Sequence, residues 1–162
     1  MSLIKIADSY THVQKALHWA VVVMLALQYF VFDAMGRAFH TLMESGEATY
    51  TTTTTVHLIL GVLVLVLTLW RLVLRATHGA PEAPEAEPEL FRKLSKLAHL
   101  GIYGLLLLLP LLGLIAWFGA VGAAGAAHEI LTNLLMALVI AHVGAVVVHQ
   151  FYWKTNLLAR MR

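Results

Sequence analysis

Four stretches of this chain are apolar over the length needed to cross a lipid bilayer, and that limits every other choice. A spanning helix takes about 20 residues, at about 1.5 Å each, to cross about 30 Å of hydrocarbon. Apolar runs of that order lie at about residues 16–32, 56–74, 97–120 and 128–151. Backbone polar groups in lipid must be satisfied within their own segment, so each run is expected to be helical. Composition agrees: 60% of the 162 residues are apolar and 12% are charged, against about 25% charged in soluble domains. The expected fold is all-α, an integral membrane four-helix bundle forming a single domain over residues 1–162.

The connections divide the chain in the same way. Residues 34–55 are polar and end in five threonines, Thr51 to Thr55, which cap helices well and fill their interiors poorly. Residues 77–89 carry Pro81, Pro84 and Pro88 among Ala and Glu, the pattern of a semi-extended linker. Gly119 to Ala127 is a Gly/Ala stretch read as a tight turn between antiparallel neighbours. Alternating spans put ten of the eleven basic residues on one side, with Arg37 alone on the other. The positive-inside rule then places both termini in the cytoplasm. The first span contains His18 and Gln28 and lacks a small-residue cleavage site, so it is expected to stay as a helix. The partner that this composition expects is membrane lipid. No basic stripe points to nucleic acid.

Nine histidines are unusual in such a chain, because an unpartnered imidazole is costly in lipid. His12, His40 and His78 fall outside the spans and read as surface residues. His128 and His142 lie 14 residues apart on the fourth helix, within about 40° of four full turns. They therefore share a face and are separated by about 21 Å along the axis. His18 opens the first helix level with His142, and His57 opens the second level with His128. Two cross-helix pairs result, one near each membrane surface.

Paired imidazoles across a gap are the axial ligands expected of a six-coordinate b-type haem. The absence of cysteine excludes iron-sulfur clusters, zinc-thiolate sites and thioether-linked haem. Zinc is the weaker reading because no carboxylate lies in the core near either pair. Gly61, one turn after His57, leaves room for a porphyrin edge, and Gly144 does the same beside His142. A histidine-lined ion or proton path without haem is the competing reading. His149 lies nearly on the face of His142, and with His99 it reads either as a quinone-pocket residue or as an interfacial histidine bound to water. Gln14 and Arg71 are candidates for haem propionates, with interface anchoring as their alternative. Trp19, Trp70, Trp117 and Trp153 lie near span ends and read as interface belts.

Several segments also resemble the bacterial cytochrome b561 family. They are YTHVQKALHW from Tyr10, VHLILG from Val56, Arg71 to Arg75, HLGIYGLLLLLP from His99, and His128 with His142 followed by HQFYWKTNLLARM from His149. The resemblance covers nearly the whole chain, with Thr155 standing where the family more often has Asp. It implies a bacterial inner-membrane protein holding two non-covalent haem b groups, His18 and His142 binding the cytoplasmic one and His57 and His128 the outer one. It also implies electron exchange between a quinone pool and a donor or acceptor at the outer, periplasmic face. Superoxide is one such donor among relatives, and that reaction is served by a positive outer funnel, whereas Arg37 is the only base outside. An anchor subunit relaying electrons for a partner enzyme is the alternative within redox biology.

Overall fold

The computed structural model describes residues 9–31, 35–82 and 87–162. Phe32 and Asp33 at the expected close of the first span, the charges at Lys5 and Asp8, and Pro84 and Glu85 of the linker lie outside the described residues. The elements are α1 (His12–Phe30), α2 (Met35–Ser45), α3 (Thr52–His78), α4 (Glu89–Gly119), α5 (Gly122–Phe151) and a 3-10 turn (Leu157–Met161). Among the described residues there is no strand. The helices α1, α3, α4 and α5 are each long and apolar enough to cross a membrane.

Local chemistry sets the helix starts. At α1 the Thr11 hydroxyl accepts from the Gln14 backbone N–H at 3.2 Å while the Gln14 side chain accepts from the Thr11 N–H at 2.9 Å, a reciprocal capping box. Thr51 caps α3 through the Thr54 N–H at 3.2 Å, so helix begins within the threonine run, four residues before the apolar span. α3 closes on Gly79 at φ 78°, a left-handed position that glycine occupies without a Cβ clash. Three readings of the connections need correction. α4 starts at Glu89, inside the expected linker. The Gly/Ala stretch is mostly helix, leaving Ala120 and Val121 as the turn, because alanine is the best helix former. The polar loop contains α2, which buries Leu42 and packs on α3; Phe39, one turn earlier, meets Gly125 of α5.

The spans alternate in direction, as contacts between distant segments show. One end gathers the start of α1, the end of α3, the start of α4 and the end of α5, along with the described residues nearest both termini. There the Gln14 amide donates to the Gly79 carbonyl at 3.1 Å, and Lys15 and Trp19 donate to the carbonyls of Arg162 and Met161. The opposite end carries α2, the start of α3 and the α4–α5 turn, where Tyr50 packs edge-on against Trp117 at 5.8 Å. We call these the terminal end and the α2 end. Between them lies an aliphatic core of Val21, Val64, Leu105, Leu106, Leu109 and Leu135.

Helix pairing is uneven. α1 packs on α3, α3 on α4 and α4 on α5, while α5 makes little backbone approach to α1 or α3. The bundle is therefore loosest between α5 and the α1/α3 pair. His18 and His57 lie on one side of that seam, and His128 and His142 lie on the other.

Candidate functional site

At the α2 end, α3 supplies His57 and α5 supplies His128. Their ring centroids are 6.3 Å apart with planes at 60°. Two imidazoles on one metal, each nitrogen about 2 Å from it and about 1.1 Å from its ring centre, have centroids about 6 Å apart. His128 is also oriented. Its Nδ1 lies 2.8 Å from the Leu109 carbonyl, which only accepts, so Nδ1 carries the proton and Nε2 keeps its lone pair. Such a bond to the non-ligating nitrogen is how proteins fix the tautomer of a metal-binding histidine.

The reason lies in α4. Pro110 sits inside that helix, where it removes a backbone donor. Gly113, one turn later, has the His128 ring against it: a Cβ there would lie 3.2 Å from Cε1 and 3.3 Å from Nδ1. The Pro110–Gly113 stretch thus forms a notch that admits an imidazole to the backbone. Trp117, one turn further out, is 3% exposed and its indole N–H has no acceptor among the described residues. Burial corrects the interface-belt reading for this residue, whereas Trp19 and Trp70 are about half exposed. Gly61 faces α1, with the Gln28 amide 3.8 Å from where its Cβ would be.

The terminal end is more crowded. Arg71 on α3 donates from Nη1 to His18 Nδ1 at 3.0 Å and from Nη2 to the Tyr103 hydroxyl at 3.4 Å. His99 lies edge-on to His142, centroids 5.1 Å apart, and its Nδ1–H donates to the Ser95 carbonyl at 2.7 Å. His18 is within electrostatic reach of both His99 and His142. Three imidazoles, a guanidinium and a phenol from four helices therefore share one level. Ser95, His99 and Tyr103 recur every four residues, so they line one face of α4.

Two expectations change here. His99 faces His142, not a pocket shared with His149. His149 is 4% exposed and is held by protein groups, which overturns the water-bound interfacial reading. Its Nε2 is 3.4 Å from Glu87 Oε1, and its Nδ1 is 2.9 Å from the Thr155 hydroxyl. Gln14 spends its side chain on the α1 cap and on Gly79. Its amide is tied to the end of α3.

A family model described as prokaryotic cytochrome b561 matches residues 9–162. The chain belongs to the prokaryotic cytochrome b561 family. It is also 32% identical over 156 residues to cytochrome b562 of Cereibacter sphaeroides, a match covering 94% of each chain. As a cytochrome b561 protein it is a multi-pass bacterial membrane protein that binds haem b and transfers electrons. The α2 end fits that cofactor on its own geometry: a 6.3 Å imidazole pair, one tautomer fixed by Leu109, and an orphaned buried donor in Trp117. The terminal end supplies imidazoles in number, but Arg71 occupies one nitrogen of His18.

Proposed function

We propose that this cytochrome b561 protein holds two haem b groups, one at each histidine level, and passes single electrons between a quinone pool and a partner beyond the opposite surface. His57 and His128 would hold the haem iron at the α2 end, and His18 and His142 would hold it at the terminal end. The positive-inside rule supports a cytoplasmic terminal end and a periplasmic α2 end. The whole chain acts as one domain.

Haem, when bound, supplies the one-electron iron couple, and the protein sets its position and surroundings. Leu109 and Gly113 hold the His128 ring with Nε2 directed away from α4. The buried Trp117 indole N–H, without an acceptor among the described residues, would be available to a haem propionate. Arg71 places a permanent positive charge beside His18, which favours an added electron there.

The observation that most supports this reading is the His57–His128 pair, spaced for a shared metal and oriented by a backbone carbonyl. On the side assigned as periplasmic, the sequence sets Asp33, Glu44, Glu47 and Glu129 against the lone Arg37. That surface repels anions, so superoxide is disfavoured against a neutral or cationic donor or acceptor. The test is haem content per chain by pyridine haemochrome. The expected values are two for the wild type and one for either His128→Ala or His142→Ala. Two haems in either variant would refute the ligand assignment.

A further inference from the structure

The outward faces of the spans are not alike. On α3 and α4 the exposed side chains within the apolar runs are mostly bulky, such as Val66, Leu69 and Val73 on α3 and Leu100, Leu108 and Ile115 on α4. α5 departs from this pattern. Its line of Ile130, Asn133, Ala137, Ile140, Gly144 and Val147 is exposed throughout and steps by three and four residues in turn. Three β-branched side chains alternate there with two small residues and a carboxamide. The line lies opposite the histidines of α5, since Asn133 and His142 are nine residues, or two and a half turns, apart. Gly144 belongs to it as well, about 200° round the helix from His142, which turns it away from the histidine gap and corrects the expectation that it makes room for a porphyrin there.

Asn133 is the member of this line that lipid tolerates least. It lies five residues, about 7.5 Å, inside the apolar run that starts at His128. Among the described residues it is the one exposed carboxamide within a span. Its Nδ2 donates to the Glu129 carbonyl at 3.3 Å, which uses one of its two N–H donors and leaves Oδ1 free to accept. An amide so incompletely met is costly in hydrocarbon. Gly144 is an independent sign. A Cβ there would meet nothing within 4 Å, so packing within the chain does not call for the missing side chain. In membranes, small residues let a neighbouring helix approach closely and Asn bonds across the contact.

We propose that this face of α5 binds a second copy of the chain, α5 against α5 in parallel about a twofold axis along the membrane normal. Both copies insert the same way round, and that axis preserves their direction. Alternating steps of three and four are the seam of a left-handed helix pair, and a single Asn within such a seam fixes its register. The amide carries donor and acceptor in one group. Asn133 of each copy therefore satisfies its equivalent, which the symmetry places at the same depth. Ala137 and Gly144 leave the hollows that Ile140 and Val147 fill. The pairing uses the side of α5 away from His128 and His142, so it leaves the histidine levels in place and does not depend on how many haems they hold.

The chain has no cysteine, so a single introduced thiol reports alone. Ile140→Cys and Leu100→Cys replace residues that are equally exposed, at 69%, at matching depth on α5 and α4. The full-length, haem-loaded protein is treated with an oxidant in its native membrane. The expected result is a disulfide-linked pair of chains from Ile140→Cys and single chains from Leu100→Cys. Energy transfer between labelled copies, followed as lipid dilutes them, gives a second reading: Asn133→Leu and Gly144→Leu each weaken pairing about tenfold with haem per chain unchanged. Equal linking at both positions, or none at Ile140→Cys, would overturn the proposal. A linked product whose mass is not twice that of the chain would overturn it too, by giving the face to a different subunit. So would undiminished pairing in both leucine variants, or loss of haem from both, which would make the face part of the chain's own packing.

Discussion

The two histidine levels differ in how they are held. At the α2 end the backbone does the orienting: a carbonyl on a proline-interrupted helix fixes His128, and a missing side chain at Gly113 admits its ring. At the terminal end side chains hold side chains, with Arg71 on His18 and His99 against His142. A backbone-built site needs no rearrangement to accept a metal through Nε2. The side-chain-built site requires Arg71 to release Nδ1 if His18 is to bind through Nε2, because an imidazole that accepts at Nδ1 carries its proton on Nε2. The α2 end is preorganised and the terminal end is adjustable.

Four changes test this contrast. The largest is loss of a ligand: His128→Ala and His142→Ala each halve the haem per chain, and loading with limiting haem fills the α2 end first, read from which ligand variant takes it up faster. Next is Gly113→Val, whose branched side chain meets His128 inside van der Waals contact. It abolishes the α2-end haem and spares the other, while Gly113→Ala, with its Cβ 3.2 Å from the ring, keeps both with a shifted potential. Replacing Arg71 by Met removes a positive charge from the terminal end only. Its haem becomes harder to reduce by on the order of 1–2 kcal/mol per electron at an effective dielectric of about 20, as potentiometry would show. The smallest effect is Gln14→Leu, which removes its half of the α1 capping box together with the Gly79 tie and lowers stability by about 1–2 kcal/mol with haem content unchanged. Equal loading rates at both levels would erase the contrast.

Much of this was legible in the sequence. The spans follow from length and hydropathy, and the two histidine levels from the 14-residue spacing and from which end each helix starts. Other features were out of reach for physical reasons. Gly113 matters only through the rotation of α4 against α5, which no periodicity within either helix specifies. Glu87 meets His149 across 62 positions, and a glutamate in a proline-rich linker resembles its solvated neighbours. Helix α2 did leave a signal, since Met35, Phe39 and Leu42 recur at helical spacing. Its abundance of polar residues hid that period. Trp117 stands at a span end like the other tryptophans, and only tertiary burial separates it from them.

The aliphatic layer of Val21, Val64, Leu105, Leu106, Leu109 and Leu135 separates the two histidine levels. On the proposed two-haem reading, the charge that crosses between the levels is an electron's. A voltage of 100 mV over the full membrane changes the work per elementary charge by about 2.3 kcal/mol. Turnover in sealed vesicles should accordingly slow or quicken with the polarity of an imposed potential, and an ionophore that collapses the voltage should remove the difference.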